Sequence, residues 1–119
     1  MKDLPPHILK PEVHWRRAHG YLAMEMYGGA KRELRALPKE EPWGKRSKVF
    51  FLSIDQELEN WEGAQKIARG LRYEFSEEVD WWIADAYATR RHESITEARS
   101  ILLEALALHF DDGLIRFNL

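Results

Sequence analysis

The 119-residue sequence contains no cysteine. That absence excludes a disulfide scaffold, a thiolate metal site and a cysteine nucleophile, and it makes a reducing compartment, the cytoplasm, the expected location. Long apolar runs are missing as well. None approaches the roughly 18 residues that a bilayer-spanning helix requires. The opening MKDLPPHILKPEVHW places prolines where a signal peptide needs an unbroken apolar segment. Nor does one sign of charge dominate. Eighteen basic and 20 acidic residues, spread along the chain, leave a formal net charge of -2. No basic field exists to hold a nucleic-acid backbone, so neither nucleic acid nor membrane is an expected partner.

The motifs of catalysis are lacking too: no glycine-rich phosphate loop, no H-E-x-x-H string, and no nucleophile with a base and an orienting group. His14 and His19 are five residues apart, which points them to different sides of a helix rather than to one metal. His7, His92 and His109 fall near helix ends or loops. Carboxylate pairs such as Glu57 with Glu59, or Glu77 with Glu78, read as solvated faces and helix starts. The expectation is a protein without enzymatic activity, cofactor or metal.

What the sequence does have is helical periodicity. Its length fits a single domain, residues 1–119, and its 45% hydrophobic and 32% charged composition is that of a globular chain. PEVHWRRAHGYLAMEM carries Val13, Trp15, Ala18, Tyr21 and Leu22 at helical spacing, with Pro11 suited to a first turn. GGAKRELRALP repeats the pattern and ends at Pro38, and KEEPWGKRSK reads as a polar loop. VFFLSIDQEL opens with β-formers, yet the step from Phe50 to Ile54 and Leu58 favours a helix. Ser76 is the expected cap of the helix containing VDWWIADAYATRR. Ser94 and Glu97 have capping-box spacing before ARSILLEALAL, and Asp111 or Asp112 is placed to cap GLIRFNL. The fold class is all-α.

Laid against itself, the chain repeats every 34 residues. Ala30, Ala64 and Ala98 share a column, as do Leu34, Ala68 and Leu102; Leu37, Leu71 and Ala105; Tyr27, Trp61 and Ile95; and Trp15, Val49, Ile83 and Phe117. Gly29 and Gly63 precede two of the alanines. The alanine column lets the second helix of each unit cross its first closely, where a larger side chain would hold the backbones apart.

With Ala18, Tyr21, Ala30, Leu34 and Leu37 in the first unit, Trp61, Ala64, Ala68 and Leu71 in the second, and Trp82, Ala86, Ala98, Leu102 and Ala105 in the third, the chain resembles the tetratricopeptide repeat family. It departs from that pattern where Leu52 and Asp55 occupy the columns of Ala18 and Tyr21, with Ser53 the candidate small crossing residue after a one-residue shift. Thr89 stands in the Tyr21 column of the third unit. The resemblance implies a right-handed superhelix of stacked helix–turn–helix units, at about 11–44, 45–78 and 79–112, with a partial fourth, capping helix over 113–119. It also implies a protein–protein interaction module that takes a peptide or partner helix on a concave face lined, by register, by Trp15, His19, Leu22, Ser53, Gln56, Tyr87 and Arg90. The lysine, asparagine and arginine clamp of the family's co-chaperones is absent from the matching positions. A chaperone of the type III secretion translocator kind, and a structural or regulatory piece of a longer multi-domain protein, are the alternative readings; an RNA-binding array fits the 34-residue period and the acidic balance less well. In the last segment Ile115 and Leu119 are expected to face outward and to make the chain a homodimer through its C-terminal end.

Overall fold

The structure, a computed structural model, describes residues 9–109 and 112–118, the last stretch without the side chains of residues 114, 116 and 117. Among the described residues there are seven α-helices and no strand: α1 (Pro11–Ala23), α2 (Tyr27–Arg35), α3 (Trp43–Glu57), α4 (Trp61–Glu74), α5 (Val79–His92), α6 (Ile95–Leu108) and α7 (Gly113–Asn118). The all-α reading holds. None of the described helices is long and apolar enough to cross a membrane.

In a repeat-like way α1 packs on α2 in sequence order, and so do α4 on α5, α5 on α6 and α6 on α7. Helices α2, α4 and α6 begin at Tyr27, Trp61 and Ile95, each 34 residues after the last. One backbone bond closes the turn before each of them. The N–H of Met26 donates to the carbonyl of Tyr21 at 2.8 Å, that of Asn60 to Asp55 at 2.8 Å, and that of Ser94 to Thr89 at 3.1 Å. A donor five residues beyond its acceptor is the signature of a Schellman-type helix end, which satisfies a carbonyl that the helix itself leaves open. In the first two turns Glu25 and Glu59, again 34 apart, take the left-handed conformation such an end requires, both at φ 57°.

The glycines of the repeat have a reason in this turn. A Cβ on Gly29 would lie 2.7 Å from the ring of Tyr21, and one on Gly63 would lie 2.6 Å from the Asp55 carboxylate and from the Asn60 amide. Tyr21 and Asp55 are the column residue of the closing bond. In the third hairpin that column holds Thr89, a short side chain, and Glu97 stands where the glycine was. The glycine and a large column residue occur together because they compete for one space.

Cα packing divides the chain into two compact units, Met1–Phe51 and Leu52–Leu119, where the sequence is read as one domain. The first holds α1, α2 and the start of α3. Ala18, Ala30, Leu34 and Leu37 are its buried α1–α2 core, and His14 on α1 meets Glu33 on α2 at 2.9 Å, both buried. The second holds the rest of α3 and α4 to α7, with Ala64, Ala68 and Leu71 of α4 fully buried. Trp82, Ala86, Ala98, Ile101, Leu102, Ala105 and Ile115 cluster between α5, α6 and α7. The repeating alanine column is thus buried throughout, at 5% exposure or less.

Three local expectations are corrected. KEEPWGKRSK is not a loop throughout: α3 starts at Trp43, behind Pro42, and the Glu41 carboxylate accepts the Lys45 N–H at 3.3 Å. A charged composition hid a helix start that an acidic residue stabilises. Ser76 does not cap α5, whose N-cap is Glu78. Its carbonyl instead accepts from the Trp82 indole at 2.8 Å and pairs with the His109 imidazole at 2.9 Å. Ser53 is exposed and Leu52 buried, so α3 keeps its register without a shift and Ser53 is not the crossing residue. Elsewhere the caps fall where expected: Ser94 accepts from the Glu97 N–H at 3.1 Å and Asp112 from the Ile115 N–H at 3.4 Å.

Candidate functional site: the α5–α6 groove

Buried charge in the second unit is concentrated at Asp85, which is fully enclosed. Arg72 donates to its Oδ2 at 2.8 Å, Arg69 to Oδ2 at 3.1 Å and to Oδ1 at 3.2 Å, and the Thr89 hydroxyl to Oδ1 at 3.0 Å. Each carboxylate oxygen therefore has both lone-pair directions occupied. The hydrogen bond to Asp85 raises the pKa of Arg69 further above its ordinary value, against the opposing effect of burial. Gln65 completes the network by donating to Thr89 at 2.9 Å. A carboxylate so saturated has no lone-pair direction left for a substrate or a metal. It holds α4 to α5.

The open feature lies on the other side of α5. Ile83, Ala86, Tyr87 and Arg90 form one stripe at positions i, i+3, i+4 and i+7 of that helix. Ile95, Ala98, Arg99 and Leu102 form the same stripe on α6. Two residues connect the helices, so the chain reverses and the stripes run side by side in opposite directions. Between them is a groove of about 130 Å³, bordered at one end by Asn118 of α7. Its floor is apolar and small, since Ala86 and Ala98 contribute only methyl groups. Its walls are exposed: Tyr87 by 46% and Ile95 by 67%. Arg90 and Arg99 are exposed too, and among the described residues neither side chain makes a hydrogen bond or ion pair. The tyrosine is held from behind, its ring 5.3 Å from that of Trp61 in an edge contact, with the Arg91 guanidinium 5.2 Å from the Trp61 ring.

Two of the residues expected at a binding face, Tyr87 and Arg90, thus share one groove. Ser53, exposed, and Gln56, half-buried, lie on α3 in the same unit and do not line it. In the first unit Trp15 and Leu22 are half-buried and His19 is exposed. Trp15 and His19 join Phe50 in a cluster of edge contacts, with centroids 5.0 Å apart for Trp15–His19, 5.3 Å for Trp15–Phe50 and 4.7 Å for His19–Phe50. Trp43 adds to it at 6.0 Å from Trp15. Ile115 is corrected. It is fully buried against Trp82, Ile101 and Ala105, not on an outer edge, because α7 turns that side chain into the α5–α6 surface. Leu119, its expected companion in self-association, lies outside the described residues.

Sequence reasoning missed Ile95 and Arg99. Ile95 stands in the column of Tyr27 and Trp61, and that column alone does not mark it as a binding residue. The signal that finds both is the helical step from Ile95 through Ala98 and Arg99 to Leu102, parallel to that from Ile83 to Arg90. Among the described residues no group of three histidines or carboxylates is placed to hold a metal. No protein-family model, curated protein or solved structure matches the chain.

Proposed function

We propose that the chain is a non-catalytic protein-interaction module of the tetratricopeptide kind, a right-handed superhelix of hairpins, and that a peptide or partner helix binds in the α5–α6 groove. The single observation carrying the binding reading is the pair of matched stripes, apolar at the floor and ending in exposed Tyr87, Ile95, Arg90 and Arg99. Facing stripes of this spacing are what a helix-in-groove interface presents. A space of about 130 Å³ suits one or two inserted side chains, and falls well below the roughly 300 Å³ at which small-molecule sites begin. The recurrence of closing bond, glycine and alanine at 34 residues supports the family reading. The cytoplasm suits a chain without cysteine.

Affinity capture with the wild-type chain and with a Tyr87→Ala, Arg90→Ala double variant tests the reading. Both side chains are exposed, so the variant should keep its far-UV helicity. A bound protein should lose at least tenfold in affinity for the variant, as removal of an aromatic and an arginine anchor does. Equal capture by both forms would refute the groove, and retention of RNA alone would refute the partner class.

A further inference from the structure

We infer that the groove receives an acidic amphipathic helix of the partner, about two turns long, lying in line with α7. The inference rests on the binding reading above and specifies the chemistry of what binds.

The first argument is continuity. Helix α7 already lies on the surface made by α5 and α6, anchored there by Ile115. Asn118, its last residue, borders the groove. The groove therefore adjoins a surface on which this structure already seats a helix. From Ile83 to Arg90 the α5 stripe spans seven residue steps, or about 10 Å at 1.5 Å per residue, which sets the length of the occupant.

The second argument is charge. Of the described residues lining the groove two are arginines and none is a carboxylate. Both guanidiniums stand without an ion pair among the described residues, on a molecule whose formal charge is -2. A helix that sets two apolar side chains, one turn apart, over the methyls of Ala86 and Ala98 brings its flanking positions to Arg90 and Arg99. Aspartate or glutamate there completes two charge-assisted bonds, while lysine or arginine meets like charge with no carboxylate among the described lining residues to relieve it. The apolar floor separates this occupant from a nucleic acid, whose phosphates have no use for Ile83, Ile95 and Leu102.

The test is selection from a display library of randomised 14-residue amphipathic helices on the full chain. Enriched peptides should carry apolar residues three or four apart, flanked by aspartate or glutamate. Fluorescence anisotropy of an enriched peptide should show binding that weakens at least tenfold with Arg90→Glu plus Arg99→Glu, and again when its own acids become lysines. A lysine-bearing peptide should regain affinity for the double variant. Because both arginines are exposed, the variant is expected to fold, and circular dichroism checks that it does. Enrichment of neutral or basic helices overturns the acidic assignment and leaves the groove as a binding site. No enrichment at all overturns the binding reading with it. Two other outcomes also overturn the inference: preferential binding of a single-stranded RNA probe, or a concentration-dependent dimer that protects Tyr87.

Discussion

Gly29 and Gly70 are both helical glycines, and they should respond oppositely to alanine. Nothing lies within 4 Å of a Cβ built on Gly70, so Gly70→Ala should raise stability by about 0.5–1 kcal/mol through backbone entropy alone. The same methyl on Gly29 would meet three atoms of the Tyr21 ring at 2.7 to 2.9 Å. That ring is half-buried at the end of α1 and cannot yield without disturbing the turn it closes. Overpacking costs about 1–3 kcal/mol, more than the gain in propensity, so Gly29→Ala should lower the midpoint of urea unfolding. Both glycines are visible in the sequence. Their difference is not, because it depends on which side chain of a neighbouring helix lies overhead.

At the scale of the helix, Asp85 tests what binds α4 to α5. Its removal leaves Arg72, 5% exposed, as a buried cation whose remaining carboxylate is the exposed Glu104 at 3.9 Å. Asp85→Ala should therefore cost about 3–5 kcal/mol, seen as a lower melting temperature and as faster amide exchange in both helices. Helix existence was legible, because apolar spacing of 3.6 and the serine of SITE are local signals. The Asp85 network was not. Arg69 and Arg72 are three apart on one helix, Asp85 and Thr89 four apart on the next, and neither pair announces its partner. Thr89 looked like a failed match to Tyr21, when its hydroxyl is what the network uses. The start of α3 was missed for a related reason. Lys39, Glu40 and Glu41 carry loop-like composition, and the helix start is marked by bonds that composition does not announce, from the Lys45 N–H to the Glu41 carboxylate and from the Gly44 N–H to the Glu40 carbonyl.

Over the whole chain, the 34-residue spacing was readable because one physical unit recurs and each recurrence confirms the others. The orientation of α7 was not. A segment of six residues has too few turns for its apolar face to be assigned by period, and it is helical only through what it docks against. Ile115 is that anchor. Ile115→Asp should leave residues 113–118 without exchange protection, while α4, which shares no cluster with Ile115, keeps its own. Hydrogen exchange with mass spectrometry resolves the two regions. Likewise, half of the candidate site could be named in advance: Tyr87 and Arg90 follow from their column, but Ile95 and Arg99 needed the knowledge that α6 turns the same face as α5.

The contact between Trp61 and Tyr87 gives the molecule an optical readout. Of the five tryptophans, Trp82 is enclosed with its indole N–H fixed on a backbone carbonyl, so its emission has little reason to change. Trp61 is half-buried, touches the wall of the groove through Tyr87 and lies beneath the Arg91 cation. Anything that seats against Tyr87 alters the field and the solvent around that indole. Titration with a groove ligand should shift the emission of unlabelled protein, and Trp61→Phe should abolish the shift while the other four tryptophans continue to emit.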